Sequence, residues 1–297
     1  MTLRTKQESV LGRNKFKIIF KERLSGFSFL FSVISLDLIS FSESNMTNDI
    51  YYKNIKPDES ISDFVESFWV LHNHSENYKE TIGLPDGRID LFLIQSDDEP
   101  FRIVLLGLGT QQHEEGVIPA KSLRFAVSFK LLAVEYIFHE AISDIVDKGK
   151  ILPDDFWNFK PEDLNNFEDF CKKASEKIKS LLIKQIDPRK KKLFDLIYYN
   201  HGSVSVQELS EKVGWSSRQI NRYFNQQFGI SLKSFCSILR FRASLEHIAK
   251  GKLFPELNFA DQTHFIKEIK KFSGAVPKEL FKNKNDRFIL LSSFRTE

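Results

Sequence analysis

"GWSSRQINRYFNQQFGIS", residues 214–231, has the apolar spacing of a helix, with Ile220, Tyr223, Phe224 and Phe228 on one side. Arg218, Asn221, Arg222 and Asn225 recur at i, i+3, i+4 and i+7 on the other, away from any core the helix could share. Those side chain types bridge to guanine and adenine edges in a major groove. They begin in the first turn, where a recognition helix meets bases. A surface helix with ordinary polar residues is the plain alternative for this segment alone.

The residues around it frame two short helices. In "SVSVQELSEKVGW", residues 203–215, Ser205 and Glu208 are spaced as a capping box, with Val204 and Leu209 as its hydrophobic staple. Ser216 with Gln219, and Trp215 with Ile220, repeat both devices beyond a turn at Gly214. A second segment strengthens the reading. Moving 45 positions along takes Ser216 to Asp261, Ile220 to Phe265, Arg222 to Lys267, Phe224 to Ile269 and Gly229 to Gly274, so cap, core seam, outward base and terminal glycine all recur. Between the two, "SLKSFCSILRFRASLEHIAKG" reads as one connecting helix from the Ser231 cap to the Gly251 stop, with Phe235, Ile238, Leu239, Leu245 and Ile248 inward. A rigid connector would fix two recognition helices for successive major grooves, about 34 Å apart on one face of the duplex.

"ELSEKVGWSSRQINRYFNQQFGIS", then "LRFRAS", then "NFADQTHFIKEIKKFSGAVPKEL" resembles the DNA-binding domain of AraC/XylS-type bacterial transcription regulators, over about the last third of the chain. The resemblance implies two helix-turn-helix units, here about residues 203–230 and 252–276, reading DNA through Ser217 to Phe228 and Gln262 to Phe272. Carried over by position, the base-facing residues are Arg218, Asn221, Arg222, Gln262, Thr263, Ile266 and Lys267; Ser217, Asn225 and Lys270 complete the DNA-contacting set. Ser205, Ser216 and Asp261 are the helix caps. The family has a full scaffold helix before its second recognition helix. Here only "KLFPEL" separates Gly251 from Asn258, and Pro255 leaves room for at most one or two turns.

Upstream the pattern differs. "DFVESFWVL", "RIDLFLI", "FRIVLLGLG" and "RFAVSFKLLAVEYIF" read as strands, with "LPDG" and "QSDDEP" as turns between them, predicting a small β-sandwich or barrel. "PEDLNNFEDFCKKASEKIKSLLIKQID" then predicts a closing helix through Leu164, Phe167, Cys171, Ala174, Ile178, Leu182 and Ile186. "DPRKKK", residues 187–192, is a basic junction. The expected fold is α+β in two domains, a β-rich domain over residues 46–186 and an all-helical domain over residues 187–297. "LPDGRIDLFLI" with "FVESFWVL" resembles the cupin-like sensor domain of some AraC-type regulators, which implies an effector or dimerisation and names no ligand.

Charge divides in the same place. Residues 187–297 hold 20 Lys and Arg against 11 Asp and Glu, a net of +9, whereas residues 46–186 sum to −9. A polyanion would meet only the second domain. Residues 1–45 are expected to lie outside both domains. Their "KFKIIFKERLSGFSFLFSVISLDLISFS" is too short and too interrupted to span a bilayer and has no evident small-x-small cleavage site, and a soluble domain is expected to start at Met46.

The enzyme alternative is a metal-dependent cupin-type activity fused to a DNA-binding module. "HNHSENYKE" offers His72, His74 and Glu80, with His113 or Glu114 as further ligands, but the spacing departs from that of a metal set. Cys171 and Cys236 form no pair or cluster, so neither a zinc finger nor cysteine-based methyl transfer is indicated. The 29 phenylalanines have no functional reading. The chain is expected to be a cytoplasmic regulator, not an enzyme. Duplex DNA, a small-molecule effector and a second copy are its expected partners; no cofactor, metal or membrane is expected.

Overall fold

The computed structural model describes residues 44–47, 49–110, 115–182, 185–257, 259–283, 287–288 and 291. The strands come first: β1 (Ser44–Thr47), β2 (Ile50–Ile55), β3 (Val65–Asn73), β4 (Lys79–Ile82), β5 (Ile89–Gln95), β6 (Arg102–Leu106), β7 (Glu115–Ile118), β8 (Ser122–Phe129) and β9 (Gly149–Leu152). One antiparallel sheet runs in the order β1-β2-β3-β8-β5-β6-β9, and β4 pairs with β7 in a second. The boundary expected after residue 45 falls inside β1, where Ser44 pairs with Tyr52.

Register assigns the faces. Trp69 and Phe92 both pair with Ala126, so the three share a side of the large sheet, where the Trp69 and Phe92 rings meet edge-on at 5.2 Å. Phe68 and Phe125 occupy the other side, and α1 (Phe167–Leu181) covers it, bringing Phe170 to 6.5 Å from Phe68 and 5.4 Å from Phe125. Many of the described phenylalanines thus fill core; Phe68, Phe92, Phe129, Phe159 and Phe170 are among its largest fully buried side chains.

Two sequence expectations need correcting. The strand predicted over residues 124–138 stops at Phe129, because its partners Val65 and Ile89 both begin there, and beyond them no ladder continues. Val134–Phe138 instead form a π-helical turn closed by left-handed His139. The closing helix is also shorter than its apolar spacing suggested. Leu164 sits in a preceding 3-10 turn (Pro161–Asn165), Asn166 caps the helix by accepting from the Asp169 amide, and Leu182 and Ile186 lie past its end.

The remaining helices are α2 (Pro188–Tyr199), α3 (Val206–Val213), α4 (Ser217–Phe228), α5 (Leu232–Ala249), α6 (Gln262–Ser273) and α7 (Pro277–Lys282). "DPRKKK" is no free linker: Asp187 accepts from the Arg189 amide at 2.8 Å and Pro188 occupies the first turn of α2, where its missing N–H costs nothing. From that turn Lys190 and Lys191 reach back to Glu135 and Asp63 of the β-rich part. Among the described residues no helix is long and apolar enough to cross a membrane. The apolar stretch before Ser44, and His113 and Glu114, lie outside the described residues.

Candidate nucleic-acid interface

The two helices singled out by the 45-residue repeat are both twelve residues long and start and stop at equivalent positions. Ser216 caps α4 fully: its hydroxyl accepts from the Gln219 amide at 3.2 Å and its own amide donates to Gln219 Oε1 at 2.8 Å. Asp261 caps α6, accepting from the His264 amide at 2.7 Å. Gly229 and Gly274 end them in the left-handed region at φ 71° and 70°. The capping box expected at Ser205 forms only by half. Ser205 accepts from the Glu208 amide, but the Glu208 carboxylate pairs forward with Lys212 at 2.7 Å, the i,i+4 partner within easier reach.

Core anchors hold the outward faces in place. In α4, Ile220, Phe224 and Phe228 are buried, with Trp215 and Tyr223 partly buried beside them; in α6 the anchors are Phe265, Ile269 and Phe272. Leu232 to Ile248 of α5 supply the surface between them, including all five residues expected to face inward. Cation–π contacts of Arg189 with Trp215 and Lys190 with Tyr223 lay the first turn of α2 against the first unit.

The outward stripes are not uniform. Ser217, Arg218, Arg222 and Asn225 of α4, and Thr263, Lys267 and Lys270 of α6, are exposed. Asn221 is half-buried and returns its amide to the Ser217 carbonyl at 2.9 Å, as Asn225 does to Asn221. Each must leave that bond to read a base. Two members of the α6 set are drawn partly inward. Gln262 donates to the Leu253 carbonyl at 3.1 Å, and Ile266 packs partly against the core. For Gln262 the cause is the stretch before α6. Residues 252–257 form no helix, and Gln262 and His264, which accepts from the Ala260 amide, hold that loop instead.

Other devices support the second unit that sequence reasoning missed. Phe241 of α5 meets Phe272 at 5.1 Å, and α7 packs on both α5 and α6. Beyond α7 the Arg287 carbonyl accepts from the Ile82 amide at 2.8 Å and the Thr81 hydroxyl at 3.2 Å, tying this end of the chain to β4. The first unit is tied likewise, the Ile142 amide donating to the Gln227 carbonyl at 2.9 Å. Spacings within one segment could not reveal contacts between residues 206 apart.

Between the β-rich part and α5 lies a cleft of about 240 Å³ lined by Glu66, Arg88, Lys130, Tyr198, Leu239 and Arg242 among others. Glu66 accepts from Lys56 at 3.0 Å and pairs with Arg88 at 3.1 Å and Lys130 at 3.5 Å. Burial alone would raise its pKa, yet the charges of Arg88, Arg242, Lys56 and Lys130 hold it well below the usual carboxylate range. Burial pulls the Lys130 pKa down, against the opposing charge of Glu66. Arg88 and Lys130 both stand over the Tyr198 ring, whose hydroxyl burial pushes up to about 12.

The metal set weighed as the enzyme alternative can be followed only in part, since His113 and Glu114 lie outside the described residues. The His72 and His74 rings lie 3.7 Å apart, tilted by 39°, and among the described residues no three His, Cys, Asp or Glu could hold a metal ion.

No family model and no curated protein matches the chain. Among solved structures it is similar to ToxT from Vibrio cholerae O395, at 12% identity and TM-score 0.43 over 73% of this chain and 98% of that one. It is also similar to ToxT from Vibrio cholerae strain SCE256 with unsaturated fatty acid bound, at 13% identity and TM-score 0.33 over 78% and 94%.

Proposed function

We propose that the chain is a sequence-specific DNA-binding transcription regulator of the AraC type, with α4 and α6 entering successive major grooves. The carrying observation is the pair of twelve-residue helices 45 positions apart, each capped, each closed by a left-handed glycine and each bearing exposed basic residues opposite a buried seam. Arg218, Arg222 and Lys267 are the principal base or phosphate contacts, with Ser217, Asn221, Asn225, Thr263 and Lys270 beside them. Gln262 joins only if the loop before α6 yields, and Ile266 offers the part of its side chain that is not buried. Control comes from residues 46–186, through a second copy or through a small anionic effector in the cleft, where one buried carboxylate faces several cations.

The test is to pass fragmented genomic DNA over the purified chain and sequence what it retains. A common motif with two half-sites supports the proposal; retention without enrichment overturns it. Binding to that motif must also weaken with salt, because every neutralised phosphate releases counterions. For about six phosphates the log-log slope is about −5.

A further inference from the structure

Glu268 is an odd residue for a helix proposed to enter a groove between phosphates. It follows Lys267 on α6, and an outward carboxylate there would repel the DNA backbone. The side chain points inward instead. Its Oε2 lies 3.7 Å from Arg240 Nη2 of α5, and the two side chains are only 13% and 16% exposed. The same guanidinium donates through Nη1 to the Gly202 carbonyl at 2.7 Å and through Nη2 to Ser237 Oγ at 3.0 Å. Gly202 lies in the loop that leads into α3, so one planar group on the connecting helix touches the entry to the first unit and the recognition helix of the second.

The 45-residue repeat gives this contact a counterpart. Glu268 corresponds to Tyr223 of α4, and Tyr223 also reaches sideways, to Glu135 at 3.2 Å. At this register position each recognition helix has a polar contact to something other than its own helix pair, a hydrogen bond for Tyr223 and a largely buried ion pair for Glu268. Turning either helix about its axis would pull that contact apart, whereas an apolar seam can slide to new partners.

We infer that Arg240 and Glu268 are positioning residues that set the rotation and offset of α6 relative to α4, and thereby the spacing of half-sites the protein accepts. Arg240 has the fork geometry to hold two directions at once, which a lysine ammonium lacks. Glu268 serves the same end by keeping its charge off the DNA face. The inference rests on the proposed DNA-reading function for its consequence, but not for the geometry of the pair.

Two measurements test it separately. Duplexes carrying the selected half-sites at the native spacing, and with one base pair added or removed between them, are compared for binding by the full chain. The unmodified protein should lose about tenfold or more at the altered spacings, and Glu268→Gln should flatten that difference while preferences inside each half-site persist. Arg240→Lys should fall between. In DNA-free protein, spin labels placed by Asn225→Cys and Lys270→Cys report the α4–α6 separation directly; burial raises the native thiols Cys171 and Cys236 to about 12 and 11, so they label poorly. A narrow distance distribution that broadens in Glu268→Gln supports the inference. An unchanged distribution, unchanged spacing discrimination, or a loss of base preference accompanied by a collapse in Tm would overturn it. Failure of the unmodified chain to select any duplex would count against the function proposed above, leaving the distance measurement to decide this inference.

Discussion

The Tyr223 hydroxyl donates to the Glu135 carboxylate at 3.2 Å, joining the first recognition helix to the π-helical turn of the β-rich part. Burial pushes the Tyr223 hydroxyl far above its ordinary range, with Glu135 adding to the effect, so the group stays a donor at any working pH. Glu135 also takes the Lys190 ammonium at 2.6 Å, which gathers α2, α4 and the β-rich part at one carboxylate.

Tyr223→Phe should therefore destabilise the chain by about 0.5–1.5 kcal/mol, since Glu135 keeps Lys190 and solvent while the ring keeps its packing. Thermal unfolding measures it. Base preference of α4 should be unchanged; a shift in preference would mean that the hydroxyl sets more than attachment.

Arg222→Ala should cost about 1–3 kcal/mol in DNA binding and relax preference at a single guanine, because Arg222 is exposed and can donate two parallel bonds. Ile266→Ala should cost less and weaken discrimination at a thymine, as its half-buried side chain can offer only methyl contact. Binding to single-base variants of the selected site decides both. Equal, base-independent losses would show helices that grip phosphates without reading sequence.

Glu66→Gln should lower stability at neutral pH by about 3 kcal/mol, since the buried cations of the cleft lose their shared counter-charge. Because the Glu66 pKa is depressed in the folded chain from its ordinary 4.5, the unfolded chain takes up the proton first as pH falls. Its contribution is complete above about pH 4.5 and disappears as pH drops through the folded value. Denaturant midpoints across acid pH should fall more steeply in the parent than in the variant; parallel curves would refute the assignment.

Gly214 and Gly229 separate backbone strain from collision. Both have positive φ, 68° and 71°, but a methyl on Gly214 meets nothing within 4 Å, whereas on Gly229 it would stand 2.8 Å from Val146 Cγ2 and 2.9 Å from the Ser143 backbone. Gly214→Ala should cost about 1 kcal/mol. Gly229→Ala should cost about 1–3 kcal/mol more, because α4 must move away from the β-rich part. Comparable Tm losses would contradict the close approach.

The repeat of Ser216, Ile220, Phe224 and Gly229 at Asp261, Phe265, Ile269 and Gly274 was readable because caps, seams and stops are local devices acting within one or two helical turns. β3, β5 and β6 were readable for the same reason, as apolar runs between turn residues. β4 and β7 were not: "KETI" and "EGVI" are short and mixed, and become strands only by pairing with each other. The end of β8 was hidden because "FKLLAVEYIF" remains apolar after the ladder stops, so hydropathy marks burial there and not strand. Gln262 shows the same limit at the interface. Its position on α6 is helical and outward by periodicity, but the Leu253 carbonyl that claims it belongs to a loop whose path the spacing does not specify.

The bonds from Ile82 and Thr81 to Arg287 join groups about 206 residues apart. At a synthesis rate of about 5–20 residues per second, roughly 10–40 s pass between the emergence of β4 and that of its acceptor. The strands and α4 can be complete while this last tie is missing, so the second unit matures after the first. A nascent chain stopped short of Arg287 would hold both recognition helices and still lack the clasp that returns the end of the polypeptide to β4.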